Sequence, residues 1–221
     1  MLAWAQTTRS PMSAIHDACR AAREGDLVTL RKLLNADAAL VSARPEGATL
    51  LHFAALHGQL AAIELLLEAG TDVNAVDDEY GAPAAGWANE TGEDEALRLL
   101  ARRGTRASPA QAAAWGLLDE LKRQIAEDPA AIEHNVGYGP PLVEAALWGR
   151  EEIVDFLVEA GADRSSRSAD GFTPYELAVR QSTLDAPHTP IVSPARRRVI
   201  VEACGRIAKK LAGTPGLLPQ S

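Results

Sequence analysis

"GATLLHFAALHGQLAAIELLLEAGTDVNA", residues 47–75, decides the fold. Thr49 can accept a backbone N–H at the start of a first helix. Ala54 and Ala55 keep one face of that helix narrow, so a neighbouring helix can approach it. Gly58 ends the helix, as a residue tolerant of positive φ does. Leu60, Ile63, Leu66 and Leu67 then recur at helical spacing and predict a second helix. "EAG" at 68–70 closes it on another glycine. "TDVNAVDDEYG" (71–81) is rich in turn formers and predicts an extended hairpin.

The frame recurs along the chain as "AAREG" (21–25), "AAAWG" (112–116) and "AALWG" (145–149). Gly25, Gly58, Gly92, Gly116 and Gly149 are 33, 34, 24 and 33 residues apart, and a further 33 lands on Ser182. A period of this size means stacked supersecondary units. Such units bury surface between neighbours rather than around one centre. The first half also matches the second at an offset of 91 (Gly25/Gly116, Gly58/Gly149, Gly70/Gly161, Asp72/Asp163). Seventeen of the 52 positions from 21 to 72 are identical at that offset, which reads as a doubled three-unit module.

"TLLHFAALHG", "ELLLEAGTDVNA" and "DGFTPYELA" (170–178) resemble the ankyrin repeat, whose signature is T-P-L-H-x-A at a period of 33. The resemblance runs over roughly residues 13–212. It implies an all-α fold, an ankyrin-repeat α-solenoid with short β-hairpin fingers. Six units are expected, at 13–45, 46–77, 78–105, 106–134, 135–167 and 168–212. Residues 1–12 read as an N-terminal extension, 13–105 as repeats 1–3, 106–212 as repeats 4–6 with a C-terminal cap, and 213–221 as a tail. Three departures stand out. The 24-residue gap between Gly92 and Gly116 leaves no room for a hairpin, so a tight turn is expected at 104–111. Pro83 and Gly86 predict an irregular first helix in the third unit. "STLDAPHTPIVSP" (182–194) is an insertion ahead of a basic last helix.

The chain has 221 residues, of which 47% are hydrophobic and 24% charged, an ordinary globular composition. A net charge of -8 argues against a nucleic-acid surface, since those are basic. Cys19 and Cys204 are too few and too far apart for a disulfide framework and suit a reducing, cytoplasmic setting. The longest uncharged stretch, Gly47 to Ile63, contains His52, His57, Gly58 and Gln59, so no membrane span is expected. "MLAWAQTTRSP" lacks the pattern of a secretory leader.

No phosphate-binding loop, dinucleotide fingerprint, nucleophile elbow or H-E-x-x-H string occurs. Without C-x-x-C, a zinc site of ordinary spacing is not expected. No cofactor, metal or catalytic residue is assigned, and the chain is read as a non-enzyme. By the resemblance, His52 is structural and hydrogen-bonds backbone in adjoining loops. Asn74 is read as a turn former. Glu93-Asp94-Glu95 and Glu151-Glu152 open second helices, where negative charge complements the helix dipole. From Glu46 to Arg98 there are eleven acids and one base; from Ala195 to Ala212, six bases and one acid. That polarity is either solvated surface or a steering field for a basic partner.

In the family, the two positions between the alanine pair and the glycine end the first helix, face the concave surface and touch partners. Here they are Arg23 and Glu24, Leu56 and His57, Glu90 and Thr91, Ala114 and Trp115, Leu147 and Trp148, Arg180 and Gln181. Two tryptophans in adjacent units would stand about 10 Å apart and form a hot spot for a protein partner. Alternatively they fill the space of the missing hairpin or pack on each other. Trp87 reads as core. The expected partner-binding set is Leu56, His57, Trp115, Leu147, Trp148 and Arg180, with Asp77, Glu79, Tyr80 and Tyr138 at hairpin tips. The expected function is non-catalytic recognition of another protein by a monomer or weak homodimer. Its rivals are a self-associating module and a ligand pocket near His188 under the 182–194 insertion.

Overall fold

Small residues set how closely the helices of this chain approach. The computed structural model describes residues 11–183 and 194–212, with side chains from 12 to 183 and from 197 to 212. It forms two compact units, one up to Arg106 and one from Ala107. In the first unit, α1 (Pro11–Glu24), α3 (Leu50–Leu56) and α5 (Ala84–Thr91) are the leading helices of three helical hairpins. Their partners are α2 (Leu27–Ala36), α4 (Leu60–Glu68) and α6 (Asp94–Arg102). Helices α1, α3 and α5 pack side by side as one layer, and α2, α4 and α6 as the other. Ala22, Ala54, Ala55, Ala84, Ala85 and Ala88 have no exposed surface and hold the first layer together at short range. Leu30, Ile63, Leu66, Leu97 and Leu100 fill the space between the layers.

The second unit repeats the plan with α7 (Pro109–Trp115), α8 (Leu118–Glu127), α9 (Pro141–Leu147), α10 (Glu151–Glu159), α11 (Pro174–Gln181) and α12 (Pro194–Ala212). Ala112, Ala113, Ala145, Ala146 and Ala178 bring the leading helices together over Leu121, Leu142, Val154 and Leu157. Ile207 and Leu211 of α12 close the same cluster. Local chemistry starts the helices where it should. Ser108 accepts from Gln111 N, and Thr173 from Glu176 N, each with the reciprocal bond of a capping box.

Glycine at the end of a leading helix makes room for the next repeat. A Cβ on Gly25 would collide with the Gln59 side chain, whose Nε2 donates to the Arg23 carbonyl at 3.2 Å. In the second unit Arg150 Nε donates likewise to the Ala114 carbonyl at 2.8 Å. These are helix-end carbonyls with no partner inside their own helix. At Gly149 the neighbour is α12 itself, with the Ile200 carbonyl oxygen 3.2 Å from the place of a Cβ.

The structure departs from expectation at three places. The hairpin fingers reduce, among the described residues, to single antiparallel bridges, Val76 with Pro83 and Val136 with Gly139. Side chains rather than strand pairing hold these loops. Helix α5 is regular, because Pro83 falls at its N-cap, where a missing N–H costs nothing. The first and fourth repeats end in 3-10 turns, Ala38–Ser42 and Pro129–Glu133. Asp37 and Asp128 cap them by accepting from Ala39 N and Ala130 N, both at 3.0 Å. Between α6 and the start of α7 the chain turns within a few residues. Asn74 holds that turn by donating to the Gly104 carbonyl at 3.1 Å and accepting from Arg106 N at 2.7 Å. Residues 1–10, His188 with most of the 182–194 insertion, and the 213–221 tail lie outside the described residues.

Candidate functional site

In α3, every residue from Leu50 to Ala55 is buried, and the helix then surfaces: Leu56 is half-buried and His57 exposed. Helix α9 does the same. Pro141 to Ala146 are buried, and Leu147 and Trp148 are half-buried at its end. In these two helices the apolar demand is met by the first six residues, which leaves the last pair half-buried or exposed. Leu56 and His57 belong to the first unit, Leu147 and Trp148 to the second.

The turn after α4 is built around Asp77, which is 4% exposed. Its carboxylate accepts from Tyr80 N at 2.6 Å, Glu79 N at 2.9 Å, Ala82 N at 3.2 Å and Trp87 Nε1 at 3.0 Å. Burial alone would raise its pKa, but these bonds outweigh it and hold the carboxyl below the usual range. Trp87 in turn meets His52 and Phe53 edge-on, at centroid distances of 5.2 and 5.6 Å. His52, with no exposed surface, faces the Ala82 carbonyl through Nε2 at 3.0 Å and the Thr49 hydroxyl through Nδ1 at 2.8 Å. Arg44 ties the near side of the turn, donating to the Val76 carbonyl and pairing with Asp78, both at 2.6 Å. The product is a braced loop from which Tyr80 stands 75% exposed, with Glu79 beside it. Asp77 therefore shapes the tip from inside, while Glu79 and Tyr80 form its surface.

Trp115 is 6% exposed. It ends a helix of alanines, Ala112 to Ala114, and supplies the bulk those residues lack. Among the described residues no ring contact joins it to Trp148. Tyr138 is half-buried, and its hydroxyl donates to Asp170 at 2.9 Å. Arg180 is exposed and its guanidinium lies 4.3 Å from the centroid of Phe172. Sequence reasoning missed Phe172 beneath Arg180, the Arg44 brace, and the Asp77–Trp87 bond. The ten-residue spacing of that last pair is its one sequence signal.

The buried thiols offer no nucleophile at neutral pH. Burial raises the Cys19 thiol and pushes Cys204 up to about 12. Among the described residues, no three or more His, Cys, Asp or Glu side chains gather to hold a metal ion, and no helix is long and apolar enough to cross a membrane.

Residues 15–109 match the family model for ankyrin repeats, in three copies. Over 173 residues, 74% of the chain, it is 28% identical to a transient receptor potential cation channel subfamily A member 1 homolog of Caenorhabditis elegans, covering 14% of that protein. Over 169 residues, 73% of the chain, it is 34% identical to transient receptor potential cation channel subfamily V member 5 of Mus musculus, covering 22% of it. The chain thus spans less than a quarter of the length of these relatives. Among solved structures, the human ASB11 ankyrin repeat domain superposes with a TM-score of 0.57 at 25% identity, over 90% of this chain and 84% of that one. A chain from the complex of the Bd0816 predatory endopeptidase of Bdellovibrio bacteriovorus with immunity protein Bd3460 superposes with a TM-score of 0.59 at 20% identity, over 89% and 96%. Repeat period, helical hairpins in two layers and these likenesses agree: the chain is an ankyrin-repeat protein.

Proposed function

We propose that this chain is a non-catalytic module that binds another protein through the ends of its leading helices and its braced loops. Ankyrin repeats are protein-interaction modules. The observation that carries the reading here is the recurrent surfacing of one residue pair, Leu56–His57 in one unit and Leu147–Trp148 in the other, after six buried residues. Trp148 is half-buried, and tryptophan is among the residues enriched in binding hot spots. Glu79 and Tyr80 add to the pair of the first unit, and Tyr138 and Arg180 to that of the second. Asp77 and Trp115, both buried, support it from within. The two free, buried cysteines fit a reducing compartment such as the cytoplasm.

The test compares capture from source lysate by wild type and by a Leu147→Ser/Trp148→Ser variant, with thermal melts of both. A partner identified by mass spectrometry that is lost from the variant, with the melt unchanged, supports the reading. Identical capture by both proteins overturns it for this pair. Size exclusion at two concentrations separates a second copy of this chain from a different partner.

A further inference from the structure

Arginine stands near the end of two leading helices at the same position in the repeat, Arg23 in α1 and Arg180 in α11. Each lays its guanidinium over a phenylalanine ring. Arg23 lies 4.4 Å from the centroid of Phe53, and Arg180 lies 4.3 Å from that of Phe172. A planar cation stacks on a ring face and keeps its N–H edge available to a second partner. In the first unit that partner is present: Arg23 Nη2 donates to the Glu46 carboxylate at 3.0 Å. In the second unit, no carboxylate pairs with Arg180 among the described residues.

The acids nearest to Arg180 in sequence are committed elsewhere. Asp170 accepts from the Tyr138 hydroxyl at 2.9 Å. Glu176 accepts from Thr173 N at 2.8 Å and from the Thr173 hydroxyl at 2.9 Å, and Arg167 lies 3.8 Å from it. Arg180 is thus an exposed cation held in one place by the ring beneath it. Helix α11 packs directly against α9. In α9 the half-buried Leu147 occupies the same repeat position as Arg180, with half-buried Trp148 after it. Helices packed in this way stand about 8–10 Å apart. About three residues of an extended chain cover that distance.

We infer that Arg180 receives a side-chain carboxylate of the partner protein, as Arg23 receives Glu46, while Leu147 and Trp148 hold an apolar side chain about three residues away from it. This rests on the protein-recognition reading and names the chemistry recognised by the second unit. The pair of Arg23 and Glu46 is the chain's own example of the group that completes a stacked guanidinium. A carboxylate fits because it meets the N–H fork in the plane of the guanidinium, without disturbing the stack.

The probe is the peptide Leu-Ser-Ser-Glu, blocked at both ends so that its side chain bears the only carboxylate. It is titrated to millimolar concentration into the isotope-labelled full chain, and NMR follows the Arg180 Nε–H and Trp148 Nε1–H signals. Both signals should move along one saturating curve. Leu-Ser-Ser-Gln should bind about threefold more weakly, the scale of an exposed ion pair, and Gly-Ser-Ser-Glu should also bind more weakly. An Arg180→Gln variant should bind the glutamate and glutamine peptides equally. Phe172→Leu, which removes the ring beneath the guanidinium, should narrow the difference between them. The control is Lys209→Gln, an exposed cation of α12. It should change affinity less than about twofold if position rather than net charge decides. Amide spectra of each variant report that the fold is kept. Signals that do not move, glutamate and glutamine peptides of equal strength, or a preference that survives Arg180→Gln would each overturn the inference. So would the same two signals moving on dilution without peptide, which would make a second copy of this chain the occupant. If the peptide fails while the lysate partner still depends on Leu147 and Trp148, protein recognition stands and this inference falls.

Discussion

His52 lies with no exposed surface between the start of α3 and the loop that Asp77 braces. With Nε2 donating to the Ala82 carbonyl, Nδ1 must accept from Thr49, so the ring is neutral. Burial lowers its pKa, Arg44 lowers it further, and the Ala82 bond and Asp77 partly oppose this. A histidine whose folded pKa is depressed binds its proton more readily when unfolded. Its stabilising effect is therefore complete above the ordinary value near 6.5 and declines as pH falls below it. We expect His52→Gln to cost about 1–3 kcal/mol at pH 7 and to flatten the fall in urea midpoint between pH 7 and 5. An unchanged pH slope in the variant would show that other groups control it. Asp77→Asn keeps the shape but places an NH2 among four donors; we expect a similar loss of about 1–3 kcal/mol and protease cleavage within 77–83. The role of His52 was legible because its motif names the partner loop. That of Asp77 was not, since a turn aspartate ordinarily faces water and only Trp87, one helix later, turns this one inward. Trp115 shows the same limit: a slot in a repeat fixes a position along a helix, but its neighbours decide whether the side chain reaches solvent.

The last helix is an element-scale test of close packing. Gly149 has φ 66, and a Cβ there would meet the Ile200 carbonyl oxygen at 3.2 Å and Ala203 Cβ at 3.3 Å. Gly161 has φ 91 and open space. Alanine at Gly161 should cost only the left-handed backbone penalty, about 1–2 kcal/mol. Alanine at Gly149 should cost that and about 1 kcal/mol or more for displacing α12. Equal losses in urea denaturation would mean that the contact is slack. Cys204, 3.4 Å from the Ala146 carbonyl and with its thiol pushed up to about 12, reports on the same seam. It should resist iodoacetamide at pH 8 in the native protein and react in Gly149→Ala. Helix boundaries here were readable from spaced glycines and alanine pairs. The loops were less so: the short gap before Gly116 foretold a tight turn, but turn-rich composition does not distinguish strand pairing from bracing by Asp77, Arg44 and Asn74.

For the whole molecule, the sequence match at 91 residues has a structural counterpart in paired features, Asp37 with Asp128 and the 3-10 turns that follow them. The second unit ends on α12, where Ile200, Ile207 and Leu211 are buried. Arg206 pairs with Glu151 and Lys210 with Asp155, both at 2.7 Å. Each of the three apolar side chains is worth about 1.5–3 kcal/mol of burial, against the roughly 5–15 kcal/mol that holds a domain. Removing residues 194–221 should therefore abolish hydrogen-exchange protection across 141–181; retained protection would show α12 to be dispensable. The bonds from Gln59 to the Arg23 carbonyl and from Arg150 to the Ala114 carbonyl each reach back 36 residues. On a ribosome, which emits the chain from its N-terminus, a leading helix must wait with its end hydrated until the following repeat has been synthesised. A pause in translation shorter than one repeat leaves that end open, and each new repeat completes the one made before it.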